Sequence, residues 1–237
     1  MRPLAPDHIA GLTPYAPGKP ISEVQRELGI DSVIKLASNE NPLGPSPKAV
    51  EAVQLAAAEL HLYPDGGSYY LKDALAQHFD VSPDTIMLGN GSNELLEMII
   101  QAFVLKGTNV VTSQGTFIVY KLATTVSGRE FREAPLTTAR SYDLDAVVDQ
   151  VNADTRLVCI ANPNNPTGSY VQRADFESFI EKIDARAGSD SPVLVIDEAY
   201  FEYVDVEDPV DAMAILADRP RTIVLRTFSK AYGLAGL

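Results

Sequence analysis

Short β-rich runs alternate with helical stretches along most of this chain, and each of several runs ends in a cluster of polar residues. The runs are residues 86–88, 109–112, 130–133, 157–161, 193–196 and 222–226, with helical stretches at 94–105, 117–126, 144–151 and 174–187 between them. In the helical stretches apolar residues recur at i, i+3 and i+4, whereas the runs at 157–161 (Leu-Val-Cys-Ile-Ala) and 193–196 (Val-Leu-Val-Ile) are apolar throughout, as strands buried on both faces are. This rhythm predicts an α/β fold built on a mostly parallel sheet. There is no internal repeat and no low-complexity tract.

Open parallel sheets collect ligands outside the carboxyl ends of their strands. Four segments at such ends are chemically loaded: Gly89-Asn90-Gly91-Ser92-Asn93, Asn162-Pro163-Asn164-Asn165-Pro166-Thr167-Gly168, Asp197-Glu198-Ala199-Tyr200 and Thr227-Phe228-Ser229-Lys230. Together they predict one shared site. Taken singly, each has a plainer reading. The Gly91 segment joins a run to a helix, where free N–H groups make a phosphate cradle; it is also an ordinary glycine turn with Ser92 or Asn93 as N-cap. The 162–168 segment is stiffened by two prolines and can hold one asparagine amide at a fixed point, or it is simply a structural loop. Asp197, closing a buried run, needs a cation or hydrogen bonds around it. It fits a metal ligand, a helix cap or the partner of a protonated ring nitrogen. Lys230 is a solvated surface lysine unless its pocket is desolvated, in which case its amine can form an imine.

Composition narrows the classes. A formal net charge of −13 opposes nucleic-acid and anionic-membrane binding. No stretch nears the roughly 20 apolar residues of a membrane span, and residues 1–20 lack the apolar core of a signal peptide, which predicts a cytoplasmic address. The single cysteine, Cys159, lies in an apolar run and reads as a small buried hydrophobe. His8, His61 and His78 are scattered, without metal or triad spacing, and His61 and His78 read as surface residues. Residues 1–35 form an arm punctuated by Pro3, Pro6, Pro14, Pro17 and Pro20, with one short helix over 21–28. Helices over 47–60 and 69–79 follow, joined through Tyr63-Pro64-Asp65-Gly66-Gly67.

Asn-Pro-Asn-Asn-Pro-Thr-Gly, Asp-Glu-Ala-Tyr and Ser-Lys-Ala-Tyr-Gly-Leu-Ala-Gly stand here in that order, preceded by Leu12-Thr13-Pro14-Tyr15 and Leu36-Ala37-Ser38-Asn39-Glu40-Asn41-Pro42-Leu43-Gly44. In these segments the chain resembles the fold-type I pyridoxal-phosphate (PLP) aminotransferases, and within them the branch that uses histidinol phosphate in histidine biosynthesis. The resemblance implies a three-layer large domain over residues 36–237. It implies that Lys230 carries the cofactor as an imine and acts as general base. Asp197 would pair with the pyridinium nitrogen, Asn165 and Tyr200 would bond the phenolic oxygen, and Phe117 would stack on the ring. Gly91, Ser92 and Asn93, with the Thr227 and Ser229 hydroxyls, would hold the phosphate. Tyr63 would reach that phosphate from the neighbouring subunit of a homodimer, and Tyr15 and Asn41 would approach the substrate. The substrates implied are small molecules: histidinol phosphate or an aromatic amino acid as donor, and 2-oxoglutarate, yielding glutamate, as acceptor.

Members of that family continue well past the point matching Leu237. They go on to a phosphate-gripping arginine, an antiparallel strand of the sheet and a small C-terminal domain, so the resemblance implies an incomplete large domain with poor stability and little or no activity. Other functions compatible with the same residues are an aromatic amino-acid aminotransferase, a PLP-dependent decarboxylase of threonine phosphate, and a remnant that binds cofactor without turnover. A nucleotide-binding α/β domain ranks last, because no Walker A sequence is present.

Overall fold

The computed structural model describes residues 4–15 and 18–237; Pro3 and Pro17 of the arm lie outside them. The elements in chain order are α1 (Asp7–Ala10), α2 (Ile21–Leu28), α3 (Pro47–Ala56), α4 (Tyr69–Phe79), α5 (Gly91–Phe103), β1 (Asn109–Ser113), α6 (Val119–Val126), β2 (Glu130–Ala134), α7 (Leu144–Gln150), β3 (Thr155–Ala161), α8 (Arg173–Ala187), β4 (Val193–Asp197), α9 (Ala212–Asp218) and β5 (Thr222–Leu225). The five strands form one sheet in the order β2-β1-β3-β4-β5, and every pairing is parallel.

Both faces of the sheet are covered, as its continuous apolar strands require. Val158 and Ile160 of β3, with Leu194 and Ile196 of β4, pack against α7 and α8 through Val147, Val148, Phe176, Phe179 and Ile183. The alternate residues Leu157, Cys159 and Val195 face the other way, against Leu96, Ile99 and Ile100 of α5 and Tyr120 and Ala123 of α6. Period-two alternation thus divides one apolar run between two cores. Cys159 is buried, and burial pushes its thiol up, so it is an inert packing group.

Three local expectations need correction. Residues 86–88 are extended but belong to no strand of the sheet, because a strand requires a laddered neighbour; their side chains line an apolar groove together with Val224 and Leu225 of β5. The arm contains α1, a single turn, besides α2. Helix α9 is opened by Asp211, whose carboxylate accepts from the Ala214 N–H at 2.9 Å; seven residues were too short for periodicity to reveal it.

The order in which strands are added to the sheet reverses between β1 and β3: β2 lies on one side of β1, and β3, β4 and β5 lie on the other. The crevice outside the carboxyl ends of β1 and β3 is therefore a topological switch point, where a ligand site is expected.

Candidate active site

A pocket of about 290 Å³ opens at that switch point. Gly91, Ser92, Asn93, Phe117, Asn165, Asp197, Tyr200, Thr227, Ser229 and Lys230 all line it, drawn from segments spread over 140 residues of sequence.

The phosphate-type turn is the N-terminus of α5 itself. The helix begins at Gly91, earlier than periodicity places it, so Ser92 and Asn93 sit in the first turn and neither caps it. Gly91 has φ +69°, a value that glycine adopts without the strain a side chain would bring. Glu94 reaches back to accept from the Asn90 N–H at 2.6 Å, which closes the turn in the manner of a capping box. The leading N–H groups of a helix have no partner in a preceding turn, and here they open onto the pocket beside the helix's positive end. Thr227 and Ser229 add two hydroxyls, and the Thr227 hydroxyl also accepts from the Ser229 N–H at 3.1 Å.

The 162–168 loop divides its asparagines between framework and site. Asn162 is buried; its amide donates to the Val171 carbonyl at 3.1 Å and its oxygen accepts from the Val171 N–H at 2.8 Å. Asn164, also buried, accepts from the Thr116 and Tyr142 hydroxyls, both at 2.8 Å, and donates to the Gly115 carbonyl at 2.9 Å and the Thr167 hydroxyl at 2.7 Å. With both neighbours committed to the scaffold, Asn165 is the one that turns into the pocket.

Asp197 ends β4 with 3% of its surface exposed. Burial pushes its carboxyl above the ordinary range, while the Tyr120 hydroxyl, the Ala199 N–H and the Lys230 charge all favour the anion. The Tyr120 hydroxyl donates to Oδ2 at 2.8 Å and the Ala199 N–H to Oδ1 at 3.1 Å. Lys230 shares the pocket with its Nζ 5.8 Å from the centre of the Tyr200 ring. Half-burial raises the Tyr200 phenol, and the Asn39 amide donates to its oxygen at 2.7 Å.

Beside the pocket, Glu198 and Arg226 tie the ends of β4 and β5 together. Glu198 is 2% exposed and accepts from Arg226 Nε at 2.7 Å, while the guanidinium lies 3.6 Å from the centre of the Phe201 ring. Burial outweighs the arginine and pushes the Glu198 carboxyl up to about 7.

Three sequence-predicted residues lie elsewhere. Tyr15 lines a neighbouring depression of about 740 Å³ that also touches Phe117 and Lys230. Asn41 has both side-chain polar groups committed to backbone, donating to the Ala231 carbonyl at 2.8 Å and accepting from the Leu43 N–H at 2.9 Å. Tyr63 is fully exposed and lines none of the pocket. Sequence reasoning missed Asn39, Tyr120 and the Glu198–Arg226 pair. For Tyr120 a signal existed, since it stands three residues after Phe117, a spacing that puts both on one side of the helix expected from residue 117, although α6 itself opens only at Val119. No signal separates Asn39 from Asn41 within Ser38-Asn39-Glu40-Asn41. Among the described residues no group of His, Cys, Asp and Glu could hold a metal ion, and no helix is long and apolar enough to cross a membrane.

A doubly wound parallel sheet with a lysine, a buried carboxylate and a helix N-terminus around one pocket defines an α/β protein with a lysine-bearing site for an anionic ligand. The chain belongs to the aminotransferase class I and II family, whose pattern matches residues 31–237. It is 49% identical over 235 residues to the histidinol-phosphate aminotransferase of Anaeromyxobacter sp. (strain Fw109-5), a match covering 99% of this chain and 63% of that protein. It is 44% identical over 231 residues to the histidinol-phosphate aminotransferase of Bacillus subtilis (strain 168), covering 98% of this chain and 63% of that one. The crystal structure of the Sinorhizobium meliloti histidinol-phosphate aminotransferase in complex with pyridoxal-5'-phosphate superposes with a TM-score of 0.83 at 32% identity, over 100% of this chain and 61% of that one. The chain thus spans about three-fifths of the length of these relatives.

Proposed function

We propose that this chain carries the pyridoxal-phosphate site of an aminotransferase that moves the amino group of histidinol phosphate to 2-oxoglutarate in histidine biosynthesis. The observation that carries this reading is the convergence of Lys230, buried Asp197 and the open N-terminus of α5 on a single pocket. The identities of 44–49% to histidinol-phosphate aminotransferases support the choice of donor.

The residues present fit the cofactor group by group. A phosphate matches the N–H groups of Gly91, Ser92 and Asn93 and the hydroxyls of Thr227 and Ser229. A cationic ring nitrogen matches the buried Asp197 carboxylate, which lacks an arginine or metal partner of its own among the described residues. Asn165 and Tyr200 offer polar groups to a phenolic oxygen, and Phe117 offers an aromatic face. Bound there, pyridoxal phosphate supplies an aldehyde that condenses with amines and a ring that accepts the electron pair released at the substrate's α-carbon.

The chain's own residues do the rest. Lys230 Nζ would hold the cofactor by its aldehyde and, as a free amine, would take the proton from the substrate's α-carbon and deliver one to the cofactor rather than back to that carbon, as net amino transfer requires. Asp197 keeps the ring nitrogen protonated. Phe117 and Tyr200 restrict the lysine and the ring to one geometry. We place the large domain at residues 36–237 and the arm at 1–35, in a cytoplasmic homodimer. Leu60, Leu62, Tyr63, Tyr69 and Tyr70, close in sequence, are each exposed, which supports a subunit contact there, and Tyr63 would serve the pocket of the second copy.

Adding pyridoxal phosphate to the purified chain, reducing with borohydride and mapping peptides tests the assignment. The expected label is on Lys230 and the visible band is lost in Lys230→Ala; glutamate formation from histidinol phosphate and 2-oxoglutarate is assayed on a chain extended to the length of its relatives. An undiminished band in Lys230→Ala would sink it.

A further inference from the structure

We infer that Tyr120 is a positioning residue for Asp197: from the first turn of α6 its buried hydroxyl fixes the carboxylate toward the pocket. The inference rests on the reading of Asp197 as the partner of a ring nitrogen, and it deepens that reading.

Tyr120 is fully buried, and a buried phenol needs a partner for its hydroxyl. The partner is Asp197 Oδ2 at 2.8 Å. Burial and the nearby Asp197 charge push the Tyr120 phenol far up, so it stays protonated and can only donate to the carboxylate. The Ala199 N–H takes Oδ1, so the carboxylate is gripped from two elements, helix α6 and the turn leaving β4. Two donors from separate elements leave the carboxylate no freedom to rotate about its Cβ–Cγ bond.

Tyr120 is itself held firmly. The Phe117 ring meets it edge-on at 5.8 Å and 88°, and its carbonyl accepts from the Thr124 hydroxyl at 2.6 Å. Phe117 lines the pocket, so the short segment that enters α6 sets both an aromatic wall and the orientation of the carboxylate. The titratable groups around Asp197 are Tyr120, Tyr142, Cys159, Tyr200 and Lys230, and of these only Lys230 carries positive charge. Loss of the Tyr120 hydroxyl therefore leaves the buried anion with one directed donor, the Ala199 N–H, among the described residues.

Tyr120→Phe removes that oxygen and keeps the ring. The Asp197 carboxyl carbon is followed by NMR against pH in the chain without cofactor, using ¹³C-labelled aspartate, and pyridoxal phosphate is then titrated in. The expected result is a rise of about one to two pH units in the Asp197 midpoint, with cofactor affinity reduced about tenfold or more. Tyr142→Phe is the comparison: it deletes a second buried hydroxyl, one that bonds Thr116, Asn164 and the Ala161 N–H without a hydrogen bond to Asp197. It is expected to leave the midpoint unmoved. An unchanged midpoint in Tyr120→Phe, or an equal rise in Tyr142→Phe, overturns the inference. Should Tyr120→Phe fail to fold, the phenol carbon resonance of Tyr120 in Asp197→Asn reads the same bond, and an unmoved resonance there is equally decisive. Absence of a cofactor band in the unsubstituted chain would overturn the proposed function alone, because the carboxyl titration is read without cofactor.

Discussion

Replacing Glu198 with glutamine turns a pH-dependent buried acid into a neutral amide of nearly the same shape. Glu198 is 2% exposed, and its carboxyl is pushed from 4.5 to about 7, chiefly by burial, with Glu202 and Asp211 adding repulsion and Arg226 opposing. The folded carboxyl therefore holds its proton more tightly than the unfolded one. Below pH 4.5 both states are protonated and the group has no effect. Between 4.5 and 7 the folded state alone retains the proton, so stability falls as pH rises through this window, and above 7 the full cost of the buried charge is present. A difference of roughly 2.5 pH units corresponds to about 3 kcal/mol at 1.36 kcal/mol per unit. Glu198→Gln lacks this slope, while its amide oxygen can still accept from Arg226. Urea unfolding of both chains from pH 4 to 8 measures it. The variant should gain on the parent by about 3 kcal/mol between pH 4.5 and 7.5, whatever the offset at low pH. Parallel stability curves would falsify the reasoning and show that Arg226 holds Glu198 charged throughout. The pair joins the residue after Asp197 to the residue before Thr227, so this window also governs how firmly the two strand ends that carry the site are tied.

Two further outcomes follow from the scaffold around the pocket. Asn164→Ala removes the acceptor shared by the Thr116 and Tyr142 hydroxyls and the amide that donates to the Gly115 carbonyl, and should cost about 2–4 kcal/mol in a denaturant melt while leaving Cys159 protected from thiol reagents under native conditions. Gly233→Ala would place a methyl 2.6 Å from the Gly44 carbonyl oxygen at a residue with φ +69°. It should destabilise by about 1–3 kcal/mol and speed proteolysis near Gly44, because the segment after Asn41 would be pushed off the loop that follows Lys230.

Much of the site was legible because strand ends carry it. Lys230, Asp197, Asn165 and Gly91 stand in short, dense segments that a plain turn would not need, and the sheet brings them to one pocket. Boundaries were less legible. Helix α5 was expected from Glu94 because its apolar periodicity starts there, yet the helix opens at Gly91, and that shift is what turns the Gly91 segment into a row of free N–H groups. The short helix α9 and the lone turn α1 carry too few residues for a period to show.

From sequence alone came the α/β class, the two-sided burial of its strands and the set of segments bearing chemistry, because apolar period and turn composition are local properties. The physical reason that Asn165, rather than Asn162 or Asn164, faces the pocket was decided only in three dimensions. Asn162 and Asn164 are consumed by hydrogen bonds to the scaffold, Asn162 with Val171 and Asn164 with Thr116, Tyr142 and Gly115, and Asn165 is what remains. In the same way Asn41 is tied to backbone while Asn39 reaches Tyr200. Neither the grip of Tyr120 on Asp197, across 77 residues, nor the clasp of Arg226 on Glu198 could be read from residue order. Such contacts depend on how helices α5 and α6 and strands β4 and β5 pack, and a buried donor must find its acceptor wherever the packing brings one.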